Sequence, residues 1–189
     1  AELSPCAIDP LVRDVVRRRF DQALFAADVI GVKRIVFHSG FIPFVYYKEY
    51  FIDESVKFWR VFLKNAPNDM SFLLENVMEP EPEITAAVAD GVNDSRFGLC
   101  LDIGHANSRV SEIPLPHWID RFAPKLMHVH LHNNFGGDDL HNPLGSGNIP
   151  MRETIEYIIR KSPDATFTIE NMTAAPSVVW LVDNGFLSK

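Results

Sequence analysis

Apolar positions along this chain switch repeatedly between two periods. A stripe of Val12, Val16, Phe20, Leu24 and Ala27 recurs every three to four residues, the spacing that lines one face of an α-helix. Asp9-Pro10 reads as an N-cap followed by a first-turn proline, and Gly31 ends the stripe. The run 33–37 is short and β-branched and predicts a strand. The alternation then repeats. Asp53 is read as the cap of an aromatic-rich helix through Phe58, Trp59, Phe62 and Leu63, followed by a strand at 72–74. A helix over 83–90 leads to a strand at 97–101, and a short helix over 117–122 to a strand at 126–131. A helix over 151–161 precedes a strand at 166–169, and a last helix over 177–184 is closed by Gly185. Strands alternating with helices imply βαβ units and a parallel sheet, read here as one domain over residues 1–189. The one long irregular stretch, 133–150, is rich in Gly, Asp and Asn. Loops of that length in a domain tend to be functional or disordered.

Strand parity sharpens the picture, because successive strand side chains point to opposite faces. One face carries Arg34, Val36 and His38; Leu73 and Glu75; Cys100 and Asp102; His128, His130 and His132; and Thr166, Thr168 and Glu170. The other carries Ile35, Phe37, Phe72, Leu74, Leu99, Leu101, Val129, Leu131, Phe167 and Ile169. The second face is wholly apolar and suits burial under helices. The first becomes polar toward the strand C-termini, the pattern of a parallel α/β barrel with chemistry at its C-terminal mouth. An open α/β sheet also binds ligands at strand C-termini, but seldom gathers this many ligand types from successive strands.

Each predicted strand thus runs into a residue able to bind metal. Carboxylates and imidazoles converging on one mouth repel or lose solvation unless a cation compensates them. Mixed His, Asp and Glu donors suit Zn²⁺ or Mn²⁺, with Mg²⁺ or Co²⁺ as alternatives. The pairs Glu75-Asn76 and Glu170-Asn171 echo one another, and each Asn is a candidate to orient its neighbour or reach a substrate. His105 follows Asp102 across a turn at Gly104 and is a candidate second-metal ligand or substrate contact. His132 is a further candidate for substrate binding.

Composition narrows the classes. The apolar fraction of 47% and charged fraction of 23% are those of an ordinary globular protein. No apolar run approaches the length of a membrane span, and Glu2, Pro5 and Asp9 interrupt any secretory signal. Two cysteines, Cys6 and Cys100, are too few for a disulfide framework, so a reducing cytoplasm is expected. Cys100, inside an apolar run, reads as a small buried residue. A net charge of −7 argues against a broad basic face for nucleic acid.

The segments 102–105 (Asp-Ile-Gly-His), 130–134 (His-Leu-His-Asn-Asn) and 139–149 (Asp-Leu-His-Asn-Pro-Leu-Gly-Ser-Gly-Asn-Ile), in this order and spacing, resemble the xylose-isomerase-like TIM barrels. That superfamily includes sugar isomerases and epimerases and the type IV apurinic endonucleases. The resemblance implies a (β/α)8 barrel of which roughly the last five β/α units are present, the N-terminal part being absent. It implies a metal quartet of Glu75, Asp102, His130 and Glu170, with Glu75 and Glu170 acting as a general acid/base pair. The implied function is a divalent-metal-dependent sugar or sugar-phosphate isomerase or epimerase, moving a proton through an enediolate, with a carbohydrate as partner and a homo-oligomer as an option. In the endonuclease branch further ligands build a three-zinc cluster, and those positions match His38, His105, Asp139 and His141. Nucleic acid enters only with that alternative. A third alternative is a non-catalytic or truncated metal- or sugar-binding relative. Gly136 stands where ketose epimerases carry a substrate-binding Arg, which weakens a ketose 3-epimerase assignment. The Gly145-Ser146-Gly147 loop is expected to be a tight turn into the next helix rather than a phosphate cradle.

Overall fold

The first helix, α1 (Pro10–Ile30), begins and ends as its sequence demands. Asp9 Oδ1 accepts the Leu11 N–H at 2.7 Å, and Gly31 adopts a left-handed φ of 75° at the C-cap. A computed structural model describes residues 3–188; residues 1, 2 and 189, the ends of the expected domain, lie outside the described residues. The elements that follow are β1 (Arg34–His38), α2 (Lys48–Asn65), β2 (Ser71–Glu75), α3 (Glu83–Val92) and β3 (Phe97–Asp102). Next come α4 (Ile103–Ala106), α5 (Leu115–Phe122), a 3₁₀ turn (Ala123–Lys125), β4 (Leu126–Leu131), α6 (Met151–Lys161), β5 (Thr166–Ile169) and α7 (Ala175–Asp183). The sheet follows chain order, β1-β2-β3-β4-β5. Among the described residues no helix is long and apolar enough to cross a membrane.

The chain divides into two compact units, Ala1–Glu79 with Glu83–Leu99 and Pro80–Pro82 with Cys100–Lys189, and β3 runs through the division. In the first unit β1 and β2 pair in parallel, in register from Arg34↔Ser71 to His38↔Glu75. Its core is aromatic: Phe20 packs on Phe37 (4.2 Å between centroids), Trp59 on Phe97 (4.9 Å) and Phe62 on Phe72 (5.6 Å). Of the α1 stripe, Val16, Phe20 and Ala27 are buried, while Val12 remains exposed. The helix expected to start at Asp53 starts a turn and a half earlier, with Tyr47 as N-cap. Phe51 accounts for the difference: it is fully buried and meets Phe41 edge-on at 5.1 Å, so its burial draws the preceding turn into the helix.

In the second unit β4 and β5 pair in parallel from His128↔Thr166 to Leu131↔Ile169. The ladder continues one step further, since Glu170 N–H donates to Leu131 O at 3.0 Å. α5 and α6 both bury one apolar face: Trp118, Ile119 and Phe122 on the former, Ile155 and Ile158 on the latter. The turn expected at Gly104 is a full helical turn, α4, because Asp102 caps it by accepting the His105 N–H. α7 starts two residues before its expected Ser177, with Pro176 in its first turn.

The stretch 133–150 is ordered by asparagines. Asn133 and Asn142 form an antiparallel bridge, each N–H donating to the other's carbonyl at 2.9 Å. The buried Asn133 amide donates to Leu144 O (2.8 Å) and accepts from Ile149 N–H (3.1 Å). Asn134 donates to Gly104 O at 2.8 Å and accepts from Asn107 at 2.8 Å. Gly145 and Gly147 lie against Trp180 and Asn133, where a Cβ would collide. They serve packing at the turn.

Candidate metal centre

Parallel pairing sets strand ends side by side, so a ligand at each end becomes a neighbour of the next. In the first unit His38 and Glu75 end β1 and β2 as a register pair, with His38 Nε2 3.7 Å from Glu75 Oε2. The Glu75 side chain is 3% exposed and that of His38 55%. Asn76 is buried beside them. Sequence reasoning missed Glu79, which is buried and accepts hydrogen bonds from the Ser39 hydroxyl and from Val77 N–H. Nothing in the run Glu79-Pro80-Glu81-Pro82-Glu83 singles it out.

In the second unit Asp102, His130 and Glu170 converge, each offering a ligand atom within 4.8 Å of the others. His130 Nδ1 lies 3.0 Å from Glu170 Oε2 and 3.8 Å from Asp102 Oδ2. Asp102 is fully buried, and its Oδ1 accepts two hydrogen bonds at 2.8 Å, from His132 Nε2–H and from His105 N–H. Burial alone would raise the Asp102 carboxyl. The His132 hydrogen bond, the His105 and His132 imidazoles and the His105 N–H outweigh it and hold the group well below the usual carboxylate range.

A second group adjoins the first. His105, His132, Asp139 and His141 bring one ligand atom each within 4.8 Å. Asp139 Oδ2 sits 3.1 Å from His105 Nε2 and 3.0 Å from His141 Nε2. Burial opposes ionisation of Asp139, but the hydrogen bond and charge of His105, then His141 and His132, bring it below its ordinary range. Burial disfavours the His141 cation, yet the Glu170 carbonyl, Asp139 and Asp102 together raise its pKa. His141 takes a positive φ of 48°, which non-glycine residues seldom adopt. Its ring pays for this with a hydrogen bond from Nδ1 to Glu170 O at 2.8 Å. The rings of His132 and His141 stack at 4.0 Å and 11°.

Other candidates are placed differently. His132 is 0% exposed, so the expected substrate contact is replaced by the buried contact with Asp102. Asn171 spends its amide on the loop, donating to His141 O (3.2 Å) and Asn142 O (2.7 Å) and accepting from the Ser177 hydroxyl. His128 turns its two ring nitrogens to the hydroxyls of Thr166 (2.6 Å) and Thr168 (3.0 Å). Gly136 has a φ of 80°, a conformation strained for any side chain.

The donors fit a divalent cation. Glu170 Oε2 and His132 Nδ1 are buried and accept or donate no hydrogen bond among the described residues. The 3.0 Å approach of His130 Nδ1 to Glu170 Oε2 is off the line of a ring N–H. An imidazole nitrogen and carboxylate oxygens within 4.8 Å of one another are the mixed N/O set that zinc and manganese favour.

Residues 2–178 match the xylose isomerase-like TIM barrel family. The chain belongs to that family. An uncharacterised protein of Methanocaldococcus jannaschii is 24% identical over 94% of the chain and 64% of its own length. "Probable endonuclease 4" of Mycobacterium ulcerans is 28% identical over 73% of the chain and 58% of its own length. The chain therefore spans under two thirds of the length of these relatives. Among solved structures, a D-tagatose 3-epimerase-like protein superposes with a TM-score of 0.83 at 23% identity, covering 98% of this chain and 74% of that one. The IolI protein, solved with a zinc atom, superposes at 0.74 and 18% identity, covering 98% and 75%. The family fold and its sugar-epimerase and endonuclease relatives are those that the three sequence segments resemble.

Proposed function

We propose that this family member is a divalent-metal-dependent isomerase or epimerase of a sugar or sugar phosphate. Glu75, Asp102, His130 and Glu170 would hold the ion, zinc or manganese by their donor chemistry. The observation that carries the reading is the state of Glu170: its Oε2 is buried toward His130, while 41% of its side chain is exposed. One carboxylate can thus serve the ligand group and still meet a substrate. A bound divalent ion polarises adjacent carbonyl and hydroxyl oxygens, acidifying the neighbouring C–H. Glu170 and Glu75 then divide the proton transfer. One, ionised, takes the proton from carbon; the other, protonated, returns one to the opposite face, and the reverse reaction exchanges their roles. Asp102 stays ionised throughout, held so by His132 and its neighbours.

A second reading is favoured by one observation. His105, Asp139 and His141 belong, with His132, to a further group of side chains able to hold an ion, and an endonuclease 4 is among the relatives. With His38 these residues would serve a multi-zinc phosphodiesterase, the ions activating water and stabilising the leaving oxygen.

Two assays separate the readings. Incubation with zinc or manganese and a panel of ketoses and their phosphates in D₂O tests the first. Cleavage of abasic-site DNA with zinc supplied tests the second. Deuterium incorporation without DNA cleavage supports the isomerase, and the converse supports the phosphodiesterase.

A further inference from the structure

His132 keeps Asp102 ionised in the proposed chemistry, but that does not account for the rest of its surroundings. It is fully buried, with Nε2–H donating to Asp102 Oδ1 at 2.8 Å and its ring stacked on His141 at 4.0 Å. The same nitrogen is 3.7 Å from Asp139 Oδ1. Its Nδ1 is buried with no hydrogen bond. Gly104 of α4 lies flat against it, and a Cβ there would enter the imidazole. Contact with the Gly104 backbone and stacking on the His141 ring restrict the plane of the His132 ring, and the Nε2–H bond to Asp102 fixes which way round it lies.

We infer that His132 is a positioning residue that joins the two ligand groups. By donating to Asp102 Oδ1, which also takes the His105 N–H, it fills that oxygen and turns Oδ2 toward His130, 3.8 Å away. By stacking on His141, it sets the plane of a ring that reaches Asp139. The ring thus fixes the orientation of one member of each group. Partners that orient ligands in this way are worth roughly 10–100-fold in metal affinity. The inference rests on the metal-dependent reading.

The test is titration of the metal-free protein with Co²⁺, followed by visible absorption, and with Zn²⁺ by calorimetry. Thermal melting of each apo variant is measured alongside. H132Q places an amide N–H where Nε2 stood and should bind the first ion within about threefold of wild type. H132F keeps a ring but lacks the donor and should lose roughly 10–100-fold in first-ion affinity, with an altered Co²⁺ spectrum. If H132F does not fold, H132M, similar in volume and without the N–H, should show the same loss. Unchanged affinity and spectrum in H132F or H132M overturn the inference. So does equal loss in H132Q and H132F tracking a common fall in melting temperature, which would mark a packing role. Loss of a second ion with the first unaffected confines His132 to the Asp139 group and also overturns the inference. A wild-type protein that takes up neither ion overturns both the inference and the metal-dependent reading.

Discussion

Asp102 takes two N–H groups on one oxygen, from the His132 ring and the His105 backbone. Such a carboxylate is oriented before any ligand arrives. Glu170 differs in being partly exposed, and its role is tested directly. E170Q should lower turnover roughly 10²–10⁴-fold, the usual contribution of general acid–base catalysis, measured under saturating metal. Cys6, outside both candidate ligand groups, offers a pH test. Burial, partly opposed by the Ser55 hydrogen bond, pushes its thiol from 9.0 up to about 12. The unfolded thiol ionises first, so the fold is favoured by the protonated form. The thiol's contribution to stability is then intact below about pH 9 and is lost as pH rises toward 12. Urea midpoints measured from about pH 8 to 11 should fall less steeply for C6A than for wild type.

At the scale of elements, the asparagine-braced loop and the aromatic wedge under α2 carry the account. Asn133 is buried and bonded to Leu144, Ile149 and Asn134. N133A strands those groups and should cost about 1–3 kcal/mol in chemical denaturation. Trp59, fully buried between Phe20, Phe37 and Phe97, should cost about 3–5 kcal/mol on truncation to Ala. Most elements were legible because their periodicity is local: β4, α6 and β5 begin and end where the pattern places them. Where the expectation slipped, a side-chain contact decided. Phe51 gains its burial from Phe41, and no period in the sequence reveals that. α4, Ile103–Ala106, is too short to show a helical period, and its single turn is capped by the Asp102 side chain.

For the whole molecule, strand parity brought the candidate ligands together because a period of two assigns each strand end to a face without knowledge of the packing. It could not separate candidate ligands from the residues that hold them in place. His130 and His132 share a face, yet one approaches Glu170 while the other is sealed behind Asp102. Asn171 likewise looked like a partner for Glu170 and instead ties down the loop. Glu79 gave no signal at all, since its partner Ser39 lies forty residues away in the sequence. The central claim is that these residues move a proton at carbon with the help of a divalent ion. Solvent-deuterium incorporation into a ketose or ketose phosphate, followed by NMR with the metal-loaded protein, tests it most directly. The account predicts one deuterium at the carbon beside the carbonyl, lost on chelation and nearly abolished in E170Q. Incorporation that persists undiminished in the chelated protein or in E170Q would contradict it.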